Sequence, residues 1–119
     1  MVNYSEKIQN LYGELSGSLV VALVDSETGM LLDSAGDGVD KEVIGAGLTA
    51  FASAFNNVLA EMGNGTVDET VITIGGQFHA MHRVAAHPSV YLMAIVDSAK
   101  SNLATVRAGV TRTAASIAM

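Results

Sequence analysis

The chain contains no cysteine, which excludes disulfides, thiolate metal sites and thiol chemistry together. Basic residues are scarce too. Six Lys and Arg stand against 12 Asp and Glu, for a formal net charge of -6. A surface that tracks phosphates needs the opposite balance, so nucleic acid is not an expected partner. The opening MVNYSEKIQN lacks the apolar core of a secretory signal, and the expected compartment is the cytoplasm.

Catalytic signatures are missing as well. Neither a Walker lysine motif nor a G-x-S-x-G elbow occurs, and no serine stands in a recognisable relation to a histidine and an acid. The three histidines are His79, His82 and His87. On a strand, positions 79 and 82 differ in parity and point to opposite faces, so they cannot share a metal there. Asp25, Glu27 and Asp33 form an acidic hairpin tip, read as solvated rather than as a cation site. Gly45-x-Gly47-x-x-Ala50 mimics a dinucleotide fingerprint but begins inside a helix rather than after a strand, so close helix packing is the better reading. No cofactor, metal or catalytic residue is expected, and the chain is not read as an enzyme.

What is present is the material of one domain, 1–119, long enough to bury a core unaided. Its longest helical pattern runs from Asp40 to Met62. Asp40 is placed to cap the first turn, Glu42 adds favourable negative charge there, and Gly63 stands where a left-handed residue ends a helix. At 100° per residue Ile44, Leu48, Phe51, Phe55, Val58, Leu59 and Met62 share one stripe, predicted to lie on the core. Full burial of that stripe is worth roughly 10–20 kcal/mol by area. No charge separates Glu42 from Glu61, but Thr49, Ser53, Asn56 and Asn57 interrupt the run, and membrane insertion is not expected.

A second stripe lies beside the first. Val43, Gly47, Ala50, Ala54, Asn57 and Glu61 follow the 4-3-4-3-4 spacing of a helix–helix seam, with small residues at its middle. Either a helix of the same chain fills that seam, or a second copy of this helix does, or the small residues are indifferent surface choices.

In chain order, residues 3 to 15 read as a first helix, with Asn3 and Glu6 in capping-box spacing and Ile8, Leu11, Tyr12 and Leu15 on one face. SLVVALVD (18–25) is apolar on both faces, as a central strand is, and turns through DSETG into GMLLDSAG. Gly36 and Gly38 mark the loop into the long helix, and Gly63, Asn64 and Gly65 the loop out of it. TVDETVITI (66–74), a two-residue turn at Gly75-Gly76 and QFHAMHRV (77–84) form a hairpin. A turn at His87-Pro88 leads into SVYLMAIVD (89–97). A last helix runs from Ser98 or Ser101 to Met119, with Leu103, Val106, Val110 and Ile117 on one side. Lys100, Arg107 and Arg112 make this end locally basic, suited to a helix C-terminal half or to an acidic partner.

The predicted fold is α/β (α+β): a three-layer α-β-α sandwich around a five-stranded antiparallel sheet in the order 2-1-5-4-3, with elements α-β-β-α-β-β-β-α. The third strand then forms an edge carrying Asp68, Thr70 and Ile72, where Asp68 and Glu69 are candidate guards against pairing. Two copies joined by this edge would also bring their long helices side by side.

The element order, the hairpin SGSLVVALVDSETGMLLDSAG, the small-residue helix IGAGLTAFASAFNNVL and the ending YLMAIVDSAKSNLATVR resemble the Roadblock family, which includes dynein light chains and the MglB-like regulators of small GTPases. The resemblance spans nearly the whole chain. It implies a homodimer built through the long helix and third strand, and a platform for a Ras-like small GTPase or a motor or signalling complex. In MglB-like members it implies stimulation of hydrolysis by remodelling the GTPase site, with no arginine finger and no catalytic residue to carry over. The alternative reading is a small-ligand sensor of related three-layer shape, with a pocket between sheet and helix.

Overall fold

A computed structural model describes residues 4–37, 40–63, 65 and 67–119, with Lys41 and Glu42 described by backbone only. Its elements are α1 (Tyr4–Glu14), β1 (Ser18–Asp25), β2 (Met30–Ala35), α2 (Lys41–Met62), β3 (Glu69–Ile74), β4 (Gln77–Arg83), β5 (Val90–Asp97) and α3 (Leu103–Ser116). The strands form one antiparallel sheet in the order β2-β1-β5-β4-β3, the order expected from the two most apolar strands lying at the centre.

Strand alternation sorts the core into two layers. Val21 and Leu23 of β1, with Leu92, Ala94 and Val96 of β5, face Ile8, Leu11 and Leu15 from the first helix and its exit, and Val106, Val110 and Ala114 of α3. The opposite parity, Val20, Ala22 and Val24 with Tyr91 and Ile95, faces α2 through Ile44, Leu48 and Ala52. Two helices therefore cover one face of the sheet and one helix covers the other.

The ends of α2 are as read from the sequence. Asp40 accepts from the Val43 N–H through Oδ1 at 3.4 Å and from the Ile44 N–H through its carbonyl at 3.2 Å. Gly63 has φ 75° and donates its N–H to the Ala60 carbonyl. The Gly75-Gly76 turn holds both residues at positive φ, 54° and 80°, between the paired Ile74 and Gln77; that backbone matches the strands' own twist, and only glycine adopts it freely.

Three boundaries differ from expectation. α3 begins at Leu103 because Asn102 caps it, accepting the Thr105 N–H at 2.9 Å, and not at Ser98 or Ser101; it ends at Ser116. β3 begins at Glu69. The Asn3 half of the first capping box, Gly38 and Asn64 lie outside the described residues.

A larger correction concerns the core stripe of α2. Ile44 and Leu48 are buried and Phe51 and Leu59 half-buried, but Phe55 is 49% exposed, Val58 52% and Met62 64%. The helix crosses the sheet on its N-terminal half, against β1 and β2; further along, Ala52 and Leu59 still meet the core, and the Asn56 side-chain oxygen accepts the Val67 N–H at 3.2 Å. Apolar periodicity located the helix correctly but overstated what this chain alone covers.

Candidate functional site

Beside α2, the face of the sheet that this helix shares with β5, β4 and β3 stays open. Between them lies an apolar cleft of about 320 Å³, walled by Val43, Gly47 and Phe51 on the helix side and by Thr70, Ile72, His79, Met81 and Met93 on the sheet side. A second groove, about 370 Å³, continues past Phe51 and Phe55 to Leu59 and the Val67–Thr70 segment. The Phe51 and Phe55 rings meet there with centroids 5.3 Å apart and planes tilted by 34°. Helix and sheet together thus present a continuous apolar surface that no other described part of the chain covers. α1 and α3 pack on the opposite face, so among the described residues no helix of the same chain fills the small-residue seam.

The proposed interface residues fall into three groups. Val43, Gly47, Thr70 and Ile72 meet at the cleft. Ala50, Ala54, Asn57 and Glu61 are exposed along α2 without lining it. Asp68 stands at the entrance to β3, in the second groove. His79, Met81 and Met93 were missed as lining residues. The signal for the first two was available in the hairpin: a two-residue turn at 75–76 pairs Ile72 with His79 and Thr70 with Met81, placing them on one face; Met93 follows from its pairing with Met81.

The two sheet edges differ in how they resist pairing. On β2 the register skips a residue, with Leu23 opposite Asp33 but Val24 opposite Leu31, so Leu32 is bulged and Asp33 stands within the strand. Bulges and charges of this kind blunt an edge. β3 has no bulge: its six residues pair in unbroken register with β4, and Thr70, Val71, Ile72, Thr73 and Ile74 carry no charge. The candidate guards are neutralised within the chain. Asp68 Oδ1 accepts from Arg83 Nη2 at 2.7 Å, and Glu69 accepts from both Nε and Nη2 of Arg107. The Arg107 hydrogen bond holds the Glu69 carboxyl below its ordinary range.

The basic character of α3 is likewise spent internally, because Arg112 is bound by Glu14 on α1 just as Arg107 is bound by Glu69. The histidines divide as parity requires. His79 shares the α2 side of β4 with Met81, while His82 lies on the side of Ala80 and donates from Nδ1 to the Arg83 carbonyl. Burial pushes the His79 pKa below its ordinary value. His87 Nδ1 lies 3.1 Å from the Ser89 hydroxyl, a contact the sequence reading did not isolate. This is a turn clasp: Ser89 is buried, and its carbonyl accepts from the Ser26 hydroxyl.

A five-stranded antiparallel sheet in the order 2-1-5-4-3, two terminal helices on one face and one long central helix on the other, defines the Roadblock fold. Solved structures sharing it include Myxococcus xanthus MglB (TM-score 0.81, 20% identity, covering 93% of this chain and 88% of that one). They also include a Roadblock/LC7 domain from Streptomyces avermitilis (TM-score 0.75, 12% identity, 92% and 90% covered) and an MglB with a tetrameric arrangement (TM-score 0.79, 17% identity, 99% and 90% covered). Compared by sequence, neither a family profile nor a curated protein matches the chain. The resemblance read from the sequence is thus met at the level of fold.

Proposed function

We propose that this chain is a non-enzymatic interaction module, a homodimer joined through α2 and β3 that serves as a platform for a Ras-like small GTPase. One observation carries the assembly. An exposed apolar strip on α2 (Val43 66%, Phe55 49%, Val58 52%, Met62 64%) borders an apolar cleft and an unguarded strand edge with Ile72 38% and Ile74 55% exposed. Contiguous apolar surface of this kind marks an interaction site, and the small residues of the seam suit a closely approaching helix. The GTPase partner rests on the resemblance to MglB-like regulators and on the shared fold, since fold by itself does not establish function.

Light scattering on a sizing column tests the first half: a dimer mass at micromolar concentration is expected, and a monomer would sink the assembly. The second half calls for recovery of a small GTPase from native extract on the immobilised chain, followed by hydrolysis assays with and without it. Recovery of no GTPase in either nucleotide state would leave the module without its proposed partner. Faster hydrolysis would separate an activator from a passive scaffold.

The cleft also favours a second reading, a small-ligand sensor, because its volume falls at the lower end of the range for small-molecule sites. Thermal shift against nucleotides and metabolites distinguishes the two, since a specific ligand raises Tm by mass action.

A further inference from the structure

Among the described residues, His79 is the one titratable side chain that lines the α2 cleft. Its ring is half-buried, and Nε2 lies 2.9 Å from the Gln77 amide oxygen. Across the sheet it pairs with Ile72 on β3 and Ile95 on β5, so it projects between apolar neighbours from the face that α2 leaves open.

Among the described side chains the charges on the surrounding elements are engaged elsewhere, apart from Glu61 in the last turn of α2, which does not line the cleft. At the start of α2, Asp40 accepts from the Val43 N–H. On β5, Asp97 stands opposite Gln77, and its carboxylate accepts the Ala99 N–H. At the β3 end, Asp68 and Glu69 are bound to Arg83 and Arg107, and His82 belongs to the other face of β4. An imidazolium at position 79 would therefore face carbon and one amide, with no carboxylate recorded against it among the described residues. Closing a second surface over it would strip its remaining water, and a buried unpaired charge is strongly disfavoured.

We propose that His79 makes assembly through this face pH-dependent, the dimer forming with both imidazoles neutral and coming apart as they take up protons. The inference rests on the homodimer reading above. Burial already lowers the His79 pKa from 6.5 in the single subunit, and covering the cleft acts in the same direction. The assembled form then binds fewer protons than the separated subunits. Association is at full strength above the separated-subunit pKa and weakens as pH falls through it. With one imidazole per subunit, each unit by which association lowers the pKa multiplies the limiting Kd about tenfold per subunit, or about a hundredfold for the pair.

Sedimentation equilibrium of the full chain at about pH 8 and about pH 5 reads the effect directly. The wild type is expected to show a Kd at least about tenfold weaker in acid. His79→Gln, neutral at both values, should flatten the response, whereas His82→Gln should keep it. A dimer with a Kd that moves less than about twofold overturns the inference and leaves the dimer standing, as does His79→Gln retaining the full response. A monomer at both pH values removes the dimer and the inference together. Should His79→Gln fail to fold, NMR titration of the wild-type imidazole above and below the dimer Kd decides the matter: a pKa no lower in the dimer refutes the proposal.

Discussion

Gly47 is the position at which a stability measurement can separate what this chain needs from what a partner needs. A Cβ built there meets nothing within 4 Å, so the subunit's own packing does not require glycine. Glycine in an exposed helix interior costs about 0.8–1.0 kcal/mol relative to alanine. Gly47→Ala is therefore expected to stabilise the isolated subunit by about 1 kcal/mol, or about 3–6 °C in Tm for a domain of this size. In the proposed dimer the same methyl sits on the meeting line of two helices and holds their backbones apart. Overpacking of that kind costs about 1–3 kcal/mol, which weakens Kd by about 5-fold to about 150-fold. The two effects have opposite signs. Urea unfolding at a concentration where wild type is dissociated measures the first, and analytical ultracentrifugation measures the second. If Gly47→Ala stabilises the subunit but leaves Kd unchanged, and the bulkier Gly47→Leu also assembles like wild type, the seam is not where copies meet.

Three further outcomes are expected. Gly45→Ala, only two residues away, should destabilise the subunit despite alanine's helix preference, because its Cβ would lie 2.6 Å from the Gly29 carbonyl oxygen; a net loss of about 1–2 kcal/mol in urea unfolding is expected, and an increase in stability would show that the hairpin yields freely. Tyr91→Phe removes the hydroxyl that donates to the Val67 carbonyl at 2.7 Å in a buried position. It should cost about 1–2 kcal/mol and speed amide exchange in the segment leading into β3, so unchanged exchange would show that segment to be held by other contacts. Ile72→Lys puts a charge at the middle of the unguarded edge, and should give a folded monomer with native circular dichroism; a dimer of wild-type affinity would move the interface away from β3.

The sheet was legible in the sequence because its signals are local or nearly so. Two runs apolar on both faces were read as central and adjoining, and the first hairpin and the three-strand meander, with its tight turn at Gly75-Gly76, then set the order 2-1-5-4-3. The line of small residues Gly47, Ala50 and Ala54 was legible as well, and all three are exposed on α2. What the pattern could not provide is which surface of α2 the chain itself covers. Phe55, Val58 and Met62 lie on the same stripe as Ile44 and Leu48, and an amphipathic period reports that a face is apolar without saying which molecule meets it. His79 is the complementary case. Its parity relative to His82 was read correctly, but its place opposite Ile72 became meaningful only with the hairpin register and the offset of α2 known together.

That offset has a geometric cause. Five strands spaced about 4.8 Å apart place the outer two about 19 Å from one another, whereas a helix with its side chains is about 10 Å across. Covering such a face takes two helices. On one side this chain supplies them, α1 and α3; on the other it supplies α2 alone, which lies against β1 and β2 and leaves exposed a cleft bounded by the β3 edge. Whatever completes this layer must come in over β3, because α2 closes the opposite approach. A second copy joined at β3 would bring its own α2 from that direction, and the residues it would meet first, Ile72 and Ile74, are exposed and apolar. The bulged register and Asp33 on β2 leave the other edge a poor place for the same union. The unequal edges and the uncovered strip of sheet both favour the proposed dimer, which would bring Gly47 and His79 to the same contact.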